Sequence, residues 1–87
     1  MDNISSAIEW QGVKHHLEQE IRHFDYKIRT DLYIMLGNAD ILVTELSKLE
    51  IECRRQHKPT RKFLEQLEKT NTMISDINKM ITMGALL

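Results

Sequence analysis

The stretch Met35-Leu36-Gly37-Asn38-Ala39-Asp40 decides how this chain of 87 residues folds back on itself. Glycine readily takes the left-handed conformation that closes a helix. Asparagine caps the start of a helix, and an aspartate in the first turn suits the positive end of its dipole. These residues therefore predict a stop and a restart, with Gly37 closing one helix and Asn38 opening the next. So short a link implies an antiparallel hairpin.

Upstream, the large apolar residues are Trp10, Val13, Leu17, Ile21, Phe24, Ile28, Leu32 and Met35, separated by steps of three and four. This eleven-residue rhythm predicts one long helix near residues 5–36. Ser6 and Glu9 have the spacing of a capping box at its start. Gly12 is its weak point, costing roughly 1 kcal/mol against Ala in a helix interior. A break there, with residues 4–11 folded back over the bundle, is the alternative to one continuous helix.

Downstream, Ala39, Leu42, Leu46, Leu49 and Cys53 mark a seam in a second helix near residues 39–57. Ile41, Val43 and Ile51 lie off that seam, so this helix is apolar on more than one side, as a helix with two neighbours would be. Lys58-Pro59 ends it, because the residue before proline is pushed away from helical geometry. Pro59 suits the first turn of a third helix. Phe63, Leu67, Thr70, Ile74, Ile77 and Ile81 repeat the rhythm in that helix, near residues 60–83, with Gly84 as its stop. The expected fold is all-α: a three-helix antiparallel bundle or hairpin with a long first helix, completed by oligomerisation, in a single domain spanning residues 1–87.

Composition narrows the function. Twelve Lys and Arg against thirteen Asp and Glu leave a net charge of -1, which argues against a wholesale polyanion binder. A single cysteine, Cys53, excludes an internal disulfide framework and a cysteine-based zinc finger. One proline and three glycines exclude a low-complexity linker. No apolar run approaches the length of a membrane span, and no signal peptide is visible, so a reducing, cytoplasmic setting is expected. Phosphate loops, dinucleotide-binding glycines and the paired histidines of a zinc protease are all missing. No enzyme activity, small-molecule substrate or cofactor is expected.

The predicted helix lengths are about 48, 28 and 36 Å, so the first outreaches the others by more than two turns. Its overhang would carry Trp10, Val13 and Leu17. A lone bundle of this size has a marginal core. The expected solution is a homo-oligomer or a helical protein partner covering Trp10, Val13 and Leu17 at one end and Met80, Leu86 and Leu87 at the other. Met35, Met73 and Met83 extend the second group, since methionine adapts to irregular partner surfaces. A small adaptor, subunit or co-chaperone would look like this.

Other constellations compete with that reading. Arg54, Arg55, Lys58, Arg61 and Lys62 crowd five cations into nine residues around His57. The last two fall in the first turn of the third helix, the unfavourable end for positive charge. That corner is a candidate anion site and the basis of an alternative role as a nucleic-acid-associated regulator. His16, Glu20 and His23, at i, i+4 and i+7, are a weaker candidate for a metal shared across a helical dimer. Arg22, Asp25 and Arg29 form a line that reads as intrahelical ion pairs. Cys53 reads as a small buried apolar residue rather than a nucleophile.

Overall fold

A computed structural model describes residues 3–86, with side chains through residue 84. Apart from the N-terminal segment and two turns the described residues are helical, with no strand among them. A short 3-10 turn, Ala7–Glu9, leads into α1 (Trp10–Ile21); α2 spans Tyr26–Gln56 and α3 spans Arg61–Leu86. The radius of gyration is 14.1 Å, against about 12 Å for a compact domain of this length. The molecule is a rod of 47 × 18 × 16 Å, and its long dimension matches α2, which at 1.5 Å per residue is about 46 Å long.

The turn predicted at Gly37 does not form. Residues 36–38 lie inside α2, and no described glycine has positive φ. Leu32, Leu36, Ala39, Val43, Leu46 and Glu50 form a continuous buried stripe on both sides of Gly37. Interrupting it would expose Leu36 and Ala39. Burying a leucine side chain is worth about 1.5–3 kcal/mol, more than the roughly 1 kcal/mol that glycine costs a helix.

The chain turns instead at residues 22–25, so the single helix expected over residues 5–36 is two. The amides of Arg22 and Phe24 close α1 by donating to the carbonyls of Glu18 and Ile21, each at 3.1 Å. Asp25 is extended, and its Oδ1 accepts from the Ile28 N–H at 3.2 Å, capping α2. Asp25 is thus a helix cap and not the middle of a charged line. Gly12 lies within α1, which does not break there. Gly84 lies within α3 and does not end it. A Cβ at Gly84 would sit 2.5 Å from Cε1 of Phe24, so the glycine makes room for that ring where the α1–α2 turn meets α3.

The second turn falls where Pro59 predicts it. His57 takes the left-handed conformation at φ 57°, and the Lys58 and His57 amides donate to the carbonyls of Cys53 and Arg54 at 3.2 and 3.3 Å. This is a Schellman closure with histidine in the usual glycine position. Thr60 then caps α3, its hydroxyl accepting from the Phe63 N–H at 3.1 Å. The Cys53 thiol accepts from the Thr60 N–H at 3.3 Å and ties the two helix ends together. Further along, Gln66 Nε2 donates to the Leu42 carbonyl at 3.1 Å. Thr70, Ile74 and Ile77 of α3 are fully buried and share one core with the α2 stripe.

The N-terminal arm closes that core. Trp10, Leu17 and Ile21 are at most 1% exposed. The indole Nε1 of Trp10 donates to Asp40 Oδ1 at 2.7 Å, and Lys14 Nζ approaches Asp40 Oδ2 at 3.5 Å. Ahead of α1, Ile4 is buried, and Asn71 grips its backbone from both sides, accepting from its N–H at 2.8 Å and donating to its carbonyl at 2.9 Å. Glu50 accepts from the Ala7 N–H at the start of the 3-10 turn. The predicted capping box forms only in part. Glu9 reaches back to the Ser5 backbone and hydroxyl, while the Ser6 hydroxyl donates to the Glu9 carboxylate at 3.4 Å instead of capping.

Candidate interaction surface

The predicted overhang disappears with the turn at residues 22–25. Trp10 and Leu17 belong to the chain's own core, and Val13 packs half-buried against it. A side chain already covered within one chain cannot anchor a partner without unfolding α1. Of the second predicted patch, Met80 is 36% and Met83 is 66% exposed, while Met35 and Met73 are half-buried against the core. The side chain of Leu86 and all of Leu87 lie outside the described residues.

The basic corner sits at the α2–α3 turn, with Arg54, Arg55, Lys58, Arg61 and Lys62 all exposed. The arginines have carboxylates on their own helices: Arg54 lies 4.0 Å from Glu50, Arg55 3.6 Å from Glu52, and Arg61 3.1 Å from Glu65. Lys58 and Lys62 make no ion pair with a described residue. The corner is therefore a ring of short-range pairs flanked by two lysines, and not a concentrated field.

His16, Glu20 and His23 do not assemble. Because α1 ends at Ile21, His23 belongs to the turn, and the helical spacing that would align it with His16 is lost. No group of three His, Cys, Asp or Glu side chains placed to hold a metal occurs among the described residues. Cys53 is half-buried and engaged with Thr60.

The most unusual surface is the outer face of α2. Thr30, Ile34, Gly37, Ile41, Thr44, Lys48 and Ile51 step by four and three along it and are all exposed. This is the spacing of a coiled-coil seam, set opposite the buried stripe. Ile34 is 59%, Ile41 64% and Ile51 55% exposed. The hydroxyls of Thr30 and Thr44 donate to the carbonyls of Tyr26 and Asp40 at 2.8 and 3.0 Å. With those hydroxyls engaged on their own helix, the two threonines add methyl groups to the face. Ile8 lines the same shallow depression as Ile51, and Tyr26 and Tyr33 stand exposed beside the seam. Lys48 is the seam's one charged residue.

This face is half legible in the sequence. Ile41 and Ile51 stand off the inner seam and signal a second apolar side, but Ile34, Gly37 and the threonines join it only once α2 runs unbroken through residue 37. No family model, curated protein or solved structure matches the chain.

Proposed function

We propose that this chain is a non-enzymatic helical interaction module, a small adaptor, subunit or co-chaperone, that works through an exposed apolar helix face. In this reading the three helices form an antiparallel bundle whose inner surfaces make the monomer and whose α2 outer face makes the assembly. The observation that carries it is the outer seam. Ile34, Ile41 and Ile51 stand 59%, 64% and 55% exposed along one side of one helix, with Ile8, Tyr26 and Tyr33 exposed beside them, and exposed apolar residues grouped in this way mark interaction sites. Isolated exposed isoleucines need no explanation. A row of them at coiled-coil spacing does.

The alternative, a regulator that binds nucleic acid through the basic corner, draws support only from Lys58 and Lys62. Exposed ion pairs contribute little and can be re-formed with phosphate, but the corner lacks an aromatic stacking platform, since Phe63 is packed against the core.

The two readings separate under mutation. Ile34→Glu with Ile41→Glu should leave the fold intact and abolish both self-association and capture of protein partners. Lys58→Glu with Lys62→Glu should change neither. A wild-type chain that stays monomeric and captures nothing overturns the interaction module. Loss of a salt-dependent mobility shift with DNA or RNA on reversing Lys58 and Lys62 would establish the alternative.

A further inference from the structure

Resting on that reading, we infer that the outer face of α2 is covered by a second copy of this chain, laid antiparallel about a two-fold axis at the level of Ala39. Gly37 points to it first. It sits in the middle of a 31-residue helix with ordinary helical geometry, and a Cβ there would meet nothing within 4 Å. Nothing in the chain's own packing requires a glycine, although it weakens the helix. An absent side chain at the centre of a seam lets another backbone or a bulky side chain approach closely. Gly12 is equally unopposed, but Ile8 is the one apolar residue among its exposed neighbours, beside Glu9, Gln11, His15 and His16, so no apolar seam runs past it.

The seam is also self-complementary. In an antiparallel pair, each layer sets one seam position of one helix against the other seam position of its neighbour. With the axis at Ala39, Ile41 of each copy lies over Gly37 of the other, and Ile34 lies against Thr44. Each exposed isoleucine of the central layers meets a small residue, and no central layer stacks two large ones. At the ends, Ile51 packs on the alkyl stem of Lys27. Tyr26 of the second copy then covers Ile51 and Ile8, joining the two most exposed large hydrophobic side chains among the described residues, Tyr26 at 76% and Ile8 at 74%.

Charge selects the same orientation. The antiparallel pairing places Lys27 beside Glu52 of the second copy and Lys48 beside Asp31, and symmetry repeats both. Lys48 already holds Glu45 of its own helix at 3.4 Å, so it stands between Glu45 and the incoming Asp31. A parallel, in-register pair would set Lys48 against Lys48 within the seam and Lys27 against Lys27 just beyond its end.

The test uses the full chain. Sedimentation equilibrium from about 5 to about 500 µM should give a monomer–dimer equilibrium. Ile41→Glu should abolish it while the helical circular dichroism stays unchanged. Gly37→Leu should favour the helix in the isolated chain, yet weaken the dimer tenfold or more, a split that a purely structural role for Gly37 would not produce. Spin labels on Asn38→Cys or Arg55→Cys, each in Cys53→Ser, read the orientation. Labels at 38 should lie close together, and labels at 55 about 48 Å apart. Short distances at both positions mean a parallel pair and overturn the proposal, as does a monomer at every concentration. A monomeric chain that captures a different protein through Ile34 and Ile41 overturns only the second copy and leaves the interaction module standing.

Discussion

The two faces of α2 carry the same spacing and meet opposite fates. Leu32, Leu36, Ala39, Val43 and Leu46 step by four and three and are buried. Thr30, Ile34, Gly37, Ile41 and Thr44 step by four and three and are wet. Periodicity tells which residues share a face, but not whether anything covers it. What separates the two is the supply of covering chain. α3, α1 and the segment around Ile4 are all used on the inner face, and no described helix of this chain remains for the outer one. Among the described residues, one side of α2 is covered by its own chain and the other is exposed.

The sharpest way to break this comparison is to truncate one residue from each face. Leu46 is fully buried, and Leu46→Ala should destabilise the chain by about 2–5 kcal/mol, the cost of lost burial plus a cavity. Ile41→Ala, measured by denaturant unfolding at a concentration where the chain is monomeric, should stay within about 0.5 kcal/mol of wild type. A loss well beyond that at Ile41 would mean that the outer face is packed within the single chain.

A second prediction asks how firmly the N-terminal arm closes the inner face. Asn71→Ala removes both hydrogen bonds to the Ile4 backbone. It should cost about 1–3 kcal/mol, because it leaves a part-buried N–H and carbonyl without partners. Amide hydrogen exchange should quicken first at residues 4–9 and hardly at all in α2 and α3. Uniform acceleration along the chain would show that the arm and the α2–α3 core unfold as one unit.

The same physics separates what the sequence discloses from what it hides. The α3 seam and the stop at Pro59 are legible because proline imposes its geometry locally. The turn at residues 22–25 is not, because Ile21, Phe24 and Ile28 keep helical spacing straight through it. Its one signal is Asp25, three residues before Ile28, and that residue fits a charged line with Arg22 and Arg29 equally well. Gly37 misleads in the other direction, since its local penalty is visible while the burial of Leu36 and Ala39 on either side is a tertiary fact. The burial of Trp10 depends on the turn and is hidden with it. Among the candidate site residues, Ile41 and Ile51 stand out by breaking the inner pattern. Ile34 and Gly37 do not, because the expected helix boundary at Gly37 separates Ile34 from Ile41 and Ile51.

The glycines turn that lesson into a paired measurement. Gly37→Ala should stabilise the monomer by about 1 kcal/mol, the difference in helix propensity, because the new methyl enters open space. Gly84→Val should destabilise it by about 1–3 kcal/mol, because its side chain runs into the Phe24 ring that already touches the Cβ position. Opposite signs in thermal melts would confirm that one glycine serves the chain's own packing and the other does not. Equal signs would remove the special status of Gly37.

The smallest effect lies at the turn that holds the two faces in place. His57 is the only non-glycine residue with positive φ among those described, and a left-handed backbone costs a side chain roughly 1 kcal/mol or more. Glycine there gives up part of that gain by loosening the unfolded chain. The net expectation for His57→Gly is a stabilisation of about 0.5–1 kcal/mol in denaturant unfolding, with α2 and α3 still joined through Cys53 and Thr60. Both faces of α2 should feel it equally, since the turn lies beyond the seam and carries none of its residues. If the variant instead loses stability, the imidazole makes a contact worth more than the backbone strain, and the basic corner is better built than its exposed ion pairs suggest.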